Sequence, residues 1–400
     1  MRTQQRDEPR PGRASRRRFM VAVGSTAGLL WTGGCGYYRP ARGPAYAPWR
    51  FPDHELPDRL QIVHAGLLGA NPHNTQPWWF SLPEGEPEQI ELWADRERSL
   101  GAVDPLLREM YVGLGCAVEN MRVGAAGIGR PCRVEVMPEP DDELVAARLE
   151  LDAGSDPPEE SLYEAIGTRH TNRGTYGDFE LDPRIIEILQ ADMAEFPEVT
   201  LTLLTGRADM DRFRDATVAA TEAFIADESM LRDSDAWFRH TAEEIREHRD
   251  GVTLDAQSLS KTSAYFAKTG PKIAGERGAR YWLRNTERIH TGPCSAFALL
   301  STTVLEDRAA AVQAGRAYQR LALRLEALGL AAHPLSQITE MRDREVELGR
   351  PSVHGTRLDA LTGGRGHVQM PFRLGYAVED THPAPRRPID WVTVEPEAGA

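Results

Sequence analysis

The apolar positions of this chain alternate between two spacings, one helical and one extended. Leu60, Val63, His64, Leu67 and Leu68 form a helical stripe that ends near Gly69. Positions 107, 110, 114, 117, 118, 121, 125 and 128 are apolar, and predict a long helix over 106–128 stopped by Gly129. A second long helix is predicted over 307–329, with shorter ones at 162–166 and 182–195. Period-two runs predict strands at 89–93, 133–136, 147–151 and 199–203, and a last strand at 391–394. Residues 300–304 fit either state. Residues 207–290 are helical in pattern, rich in charge and without strand signal, so they read as an insertion or cover.

The two long helices repeat. VGLGCAVENMRVGAAGIG (112–129) lies over VQAGRAYQRLALRLEALG (312–329), with identities at 112/312, 115/315, 117/317 and 129/329. Four matches in eighteen are weak alone, but helices, strands and breakers follow the same order on both sides of Gly154-Ser-Asp-Pro-Pro. The expectation is two diverged copies of one α+β unit, at 56–157 and 158–400.

Composition adds bounds. The chain is 41% hydrophobic and 27% charged, enough for a sizeable core. A formal charge of -13 argues against a general nucleic-acid binder, which needs clustered Lys and Arg. The first 34 residues carry seven Arg and two acids, a net of +5, which leaves -18 on the rest. This basic start reads as a targeting segment over 1–35. Ser15-Arg16-Arg17-Arg18-Phe19 resembles a twin-arginine export signal, followed by an apolar run, Phe19 to Trp31, shorter than the roughly 20 residues a membrane span needs. Thr32-Gly33-Gly34-Cys35 resembles a lipoprotein cleavage site, although Thr32 replaces the usual Leu. Membrane attachment through a lipid on Cys35, ordinary cleavage and an uncleaved anchor remain open. The expected location is the periplasm or cell envelope, and residues 36–55 read as a tether. Four Cys without CxxC exclude a zinc ribbon or a disulfide framework, and Cys116 reads as a small buried hydrophobe.

Three stretches carry the candidate chemistry. NPHNTQPWWF (71–80) spends two Asn, a Gln and two Trp on one connection. RHTNR (169–173) opens the second half, and PRRP (385–388) closes the chain. Together they resemble the FMN-binding apparatus of the nitroreductase family, above all its tandem, Acg-like branch with a twin-arginine signal. The resemblance covers roughly 56–395. It implies a nitroreductase-like α+β fold, with two diverged copies forming a pseudo-dimer around one flavin site in a monomeric chain.

The resemblance also assigns residues. Arg169, Arg173 and Arg386 or Arg387 would meet the FMN phosphate and ribityl chain, because guanidinium forks match phosphate oxygens. Thr171 stands where the family has Ser, beside His170. Asn71, Asn74 and Gln76 are the candidates from the other half, Asn74 as a donor to the flavin and Gln76, with Pro77 and Trp78, as a shaper of that loop. The backbone at Pro334-Leu335 would pass the flavin N5 edge, where a donor steadies the reduced ring. The first copy lacks R-x-T-x-R and the second lacks N-x-Q-P-W, so one complete site is expected. The implied activity is two-electron reduction of a flat small-molecule acceptor, such as a nitroaromatic or quinone, with the electron donor unassigned. The alternatives are a protein that holds FMN without turnover and a lipid-tethered interaction protein without flavin.

Plainer readings stand beside these. The Asn and Gln could cap a helix and start a strand, and RHTNR could be a solvated turn. Gly124 to Gly129 mimics a dinucleotide glycine pattern but ends a helix rather than opening one. His240, Glu244 and His248 share a helical spacing, yet their charged surroundings favour a solvated face over a metal site.

Overall fold

The computed structural model describes residues 42–139, 141–257, 275–379 and 381–394. The targeting segment, Cys35 and the start of the tether lie outside the described residues. Among the described residues no helix is long and apolar enough to cross a membrane.

The first half begins with α1 (Asp58–Leu67), β1 (Trp78–Ser81) and β2 (Gln89–Ala94). It continues with α2 (Arg108–Gly127), β3 (Cys132–Val136) and β4 (Val145–Leu151). The strands form an antiparallel sheet in the order β1-β2-β4-β3. The second half starts with α3 (Glu160–Ile166), α4 (Pro183–Asp192) and β5 (Thr200–Leu204). After the cover come β8 (Ala296–Thr302), α9 (Arg308–Ala327), β9 (Ala331–Pro334), α10 (Gln337–Glu347), α11 (Val353–Thr362) and β10 (His367–Gly375). Its sheet runs β5-β8-β10-β9, again antiparallel. Each sheet thus places its strands first, second, fourth, third, with the long helix between the second and third. The long helices and most strands fall within a few residues of their expected places. Of the ambiguous 300–304 run, residues 300–302 end β8 and 303–304 lie beyond it, and α10 and α11 escaped the periodicity reading.

The long helices α2 and α9 cross at glycines. A methyl group on Gly115 would sit 2.0 Å from the Val312 carbonyl oxygen, and one on Gly315 would sit 1.9 Å from that of Val112. Only residues without a side chain let the two backbones come this close. Two of the positions that match in sequence, 112/312 and 115/315, are therefore the atoms of the crossing. Buried polar pairs pin it: Gln319 Nε2 donates to Asn120 Oδ1 at 2.6 Å, and fully buried Glu119 meets Arg122, Arg316 and Arg320. Those three arginines hold the Glu119 carboxyl near pKa 2 despite its burial.

The α2 N-terminus is capped by a residue outside the helix. Asp104 accepts the N–H groups of Glu109 (3.0 Å) and Met110 (2.9 Å), which would otherwise lack partners. After β10 the chain leaves its own sheet and crosses to the first half. There β11 (Thr393–Val394) pairs parallel to β1, Phe80 opposite Thr393. The predicted tether is partly docked as well. Residues 44–49 form a short 3-10 turn that packs on the tail, with Trp49 Nε1 donating to Ala384 O at 2.8 Å. Cys116, Cys132 and Cys294 are buried free thiols.

The 207–290 region contains α5 (Arg207–Ala226), α6 (Glu228–Asp235), α7 (Ala242–His248) and α8 (Glu276–Asn285). The reading without strands needs correction: Phe238–Arg239 (β6) and Val252–Thr253 (β7) pair in parallel. Two residues per strand are too few to show a period. Glu244, one of the three residues at helical spacing, completes a capping box with Thr241 at the start of α7.

Candidate functional site

The Asn71–Gln76 connection is a left-handed loop. His73, Asn74 and Gln76 have φ of 45°, 55° and 53°, a conformation in which Asn is the best tolerated side chain after Gly. Its amides hold it there and tie it to two other parts of the chain. Asn71 Oδ1 accepts from Gln76 N at 2.8 Å, and Asn71 Nδ2 donates to Gly69 O at 3.1 Å. Toward the cover, Asn74 Nδ2 donates to Gly251 O (3.1 Å), Gln76 Nε2 to Arg249 O (2.9 Å), and the His73 ring meets Ser234 Oγ (3.0 Å). Toward the tail, Asn74 Nδ2 donates to Pro385 O (2.9 Å), Asn74 Oδ1 accepts from Arg386, and Gln76 Oε1 accepts from Arg387 N (2.8 Å). The connection is a three-way junction, which is why it needs so many amides.

The tail arginines serve the same junction. Arg386 Nε donates to Leu67 O (2.8 Å) and its Nη2 to Gly69 O (3.2 Å), while Arg169 Nη2 donates to Leu68 O (3.0 Å). Both thus cap the carbonyl end of α1, where the helix dipole favours cations. Arg387 Nη2 donates to the carbonyls of Gln76 and Trp78. Burial lowers Arg386 and Arg387 to about 9, helped by neighbouring Arg169 and Arg98 respectively. Trp78 itself is fully buried in the core.

A cavity of about 350 Å³ opens between the halves and under the cover, within the range of small-molecule sites. Of the residues that the resemblance assigns to the flavin, Asn71, Thr171, Arg173 and Pro334 line it, and Cys116 and His240 line it as well. Arg169, His170, Asn74, Gln76, Leu335, Arg386 and Arg387 do not. His170 is turned away, with its ring nitrogens on Thr168 O (2.8 Å) and Thr381 Oγ1 (3.1 Å). The Leu335 N–H is spent in the sheet, donating to Pro371 O at 2.9 Å. The donors that face the cavity at this turn begin one residue later. Ser336 and Gln337 line the cavity, and no side chain caps the α10 N-terminus they open.

Arg173 differs from the other arginines. Among the described residues it makes no hydrogen bond and no ion pair. Burial and the like charge of Arg373 lower its pKa to about 10. Beside it stand His290 and His333, edge to face with centroids 4.9 Å apart. Burial and the two arginines push His290 down to about 3 and His333 well below its ordinary value, so both rings are neutral. The cavity is therefore electropositive at this end, and among the described residues no carboxylate pairs with Arg173. A different wall carries Arg108, Glu109 and Glu340.

Sequence reasoning missed this second wall and the histidines. His333 directly precedes Pro334-Leu335, where the resemblance points to the backbone rather than to a side chain. His290 and Glu340 sit in charged runs that look solvated, Glu109 sits beside Arg108 at the head of the predicted long helix, and nothing in their spacing marks them as buried.

No family model matches the chain. Full-length curated relatives exist. The chain is similar to nitroreductases. It is 26% identical over 360 residues to a Mycobacterium tuberculosis H37Rv protein provisionally named NAD(P)H nitroreductase Rv3131, a match spanning 89% of this chain and 96% of that one. It is also 26% identical over 333 residues to the provisionally named NAD(P)H nitroreductase acg of the same strain, spanning 80% of this chain and 90% of that one. Among solved structures, the FMN-dependent nitroreductase NfnB of Mycobacterium smegmatis overlaps 60% of this chain and 99% of its own at 15% identity, with a TM-score of 0.37. A likeness that loose fixes nothing about this chain.

The cover is fastened near the same loop. Arg98 from the first half and Arg239 from the cover share Asp250 and flank the Trp237 ring, at 5.2 and 5.6 Å from its centroid. This adds charge-assisted bonds and cation–π contact to the amide junction. Phe224, Phe238 and Trp282 of the cover give the cavity an apolar roof.

Proposed function

We propose that the chain is an FMN-dependent oxidoreductase of nitroreductase type, reducing a flat acceptor such as a nitroaromatic or quinone by two electrons. One observation carries this reading. Asn71, Thr171, Arg173, Pro334 and Ser336, from three stretches far apart in sequence, line one cavity whose Arg173 forms no ion pair among the described residues. The names of relatives matched over most of their length support the same activity.

The residues present fit FMN. Arg173 and Thr171 would hold the phosphate and ribityl chain, supplying the charge-assisted bonds that Arg173 lacks within the protein. The uncapped first turn of α10 offers backbone donors for the ring edge, and Asn71, its amide held within its own loop, lines the cavity from the first half. Bound FMN supplies hydride and electron transfer. The chain contributes binding, orientation and a roof that limits water. Arg386 and Arg387 keep the loop and tail in place rather than meeting the phosphate directly. The shared strand order and the Gly115–Gly315 crossing support two copies of one unit around a single site.

A second reading rests on the junction. Asn74 and Gln76 hold the cover and tail, so the flavin would be enclosed and stored without turnover. Export by the twin-arginine route, which the N-terminal sequence favours, agrees with it, because NAD(P)H is scarce outside the cytoplasmic membrane. The deciding experiment purifies residues 36–400 without added flavin. Absorption near ~375 and ~450 nm with about one FMN released per chain is expected. Turnover with NADPH or with dithionite then separates reductase from store. A colourless protein that takes up no added FMN rejects both.

A further inference from the structure

Glu340 lies on the first turn of α10, 5% exposed, and lines the cavity. Among the described residues its carboxyl has no hydrogen bond and no ion pair. Its charged neighbours are Asp104 just ahead of α2, Arg108 and Glu109 at the start of α2, and Asp343 on α10 itself. Arg342 joins this cluster through Asp343, so four carboxyls are met by two guanidiniums.

Those guanidiniums are committed elsewhere. Arg108 donates Nε to Asp343 Oδ2 (2.6 Å), Nη1 to Gln369 O (2.5 Å) and Nη2 to Glu109 Oε1 (3.1 Å). Arg342 gives Nε (2.9 Å) and Nη2 (2.6 Å) to Asp343 Oδ1, and Nη1 to Val368 O (2.7 Å). Asp104 has its two backbone donors at the head of α2. Each of the other three carboxyls has donors; Glu340 alone has none. A buried carboxylate without a donor is costly, and the group takes a proton instead. Burial and the Glu109 charge push Glu340 well above the ordinary carboxyl range, in the same direction.

We infer that Glu340 is held as a neutral carboxylic acid on the cavity wall and hands its proton to an oxygen of the bound acceptor. This rests on the reductase reading. A quinone takes two electrons and one proton as hydride from the reduced flavin, which leaves one oxygen anionic. The Glu340 O–H bond breaks, the acceptor O–H bond forms, and Glu340 is left as a carboxylate. Water entering after product release restores its proton. Under a cover that limits water during the reaction, an internal acid of this kind is the nearest proton source.

Two measurements test it, using the FMN-loaded protein. Infrared spectra of wild type at pH 7 should show a protonated carboxyl C=O band that Glu340→Gln lacks. In stopped flow, photoreduced Glu340→Gln mixed with p-benzoquinone should reoxidise about 10²-fold more slowly than wild type, with unchanged FMN content, and Glu340→Asp should recover part of the rate. The wild-type rate should fall as pH rises, and that of Glu340→Gln should not. A missing infrared difference overturns the neutral acid. Reoxidation of Glu340→Gln at the wild-type rate overturns the proton transfer. If wild type passes no electrons to the quinone, the reductase reading fails and takes this step with it. An active wild type with an indifferent Glu340→Gln sinks this inference alone.

Discussion

Gly315→Ala tests whether the helix crossing sets the spacing of the two halves. Two effects oppose each other. Alanine is the better helix former, by about 1 kcal/mol in a helix interior. Against that, its methyl would sit 1.9 Å from the Val112 carbonyl oxygen and 2.7 Å from the carbonyl carbon. An ordinary carbon–oxygen contact is about 3.3 Å, so the backbones must part by about 1.4 Å. The clashing atoms are backbone, so no rotamer change can relieve them. A gap of even 0.5–1 Å forfeits about a quarter to a half of each contact's dispersion energy along the seam. It also stretches the 2.6 Å Gln319–Asn120 bond, worth about 1 kcal/mol. Overpacking of this kind costs about 1–3 kcal/mol, and the weakened hydrogen bond offsets the gain in helix propensity, so the net expectation is a loss of about 1–3 kcal/mol. Urea unfolding at constant m-value measures it. Gly115→Ala should behave alike, since its methyl would lie 2.0 Å from Val312 O. The double mutant should lose clearly less than the sum, because the first substitution already parts the helices. A Gly315→Ala protein about 1 kcal/mol more stable than wild type would mean that helix propensity decides and that the helices do not touch there.

Three further outcomes follow from the site. Arg173→Met should weaken FMN binding by roughly 10- to 100-fold, the value of one charge-assisted bond, with little change in the apoprotein's melting temperature because Arg173 has no partner to orphan; fluorescence titration of the apoprotein with FMN reads it. Asn74→Ala removes the acceptor of buried Arg386 and two bonds to the cover and tail, so it should cost about 2–4 kcal/mol and speed proteolytic cutting within 207–290; equal cutting of mutant and wild type would refute the junction. His290 has a folded pKa near 3, below its unfolded value, so the stability it contributes is full above about pH 6.5 and is lost as pH falls toward 3. Asp104 and Glu340, whose carboxyls are raised, act in the opposite sense over part of that range, so the difference between variants isolates the histidine. His290→Asn should remove about 1.4 kcal/mol per pH unit from the slope of stability between pH 4 and 6, read from urea midpoints.

Periodicity located α2, α9 and most strands because each buries one face, and the spacing of apolar residues records which face. The match of 112/312 and 115/315 was legible as a repeat, since a close helix crossing demands small residues at the same turn of both helices. The three candidate stretches were legible because amides and arginines are unusual in short connections. What each side chain does with its hydrogen bonds was decided only in three dimensions. Arg386 and Arg173 look alike in sequence. One caps α1 and the other faces a cavity without a partner, because the tail crosses to the first half while Thr171 and Arg173 stay at the boundary. Glu340 is hidden in a run of charges whose burial depends on α10 packing over the start of α2, some 230 residues earlier in the chain. Sequence by itself determined which faces are apolar and where the backbone must turn, because those are local costs. The partners of charged and amide groups depend on which distant segments meet, and that the tertiary structure alone decided.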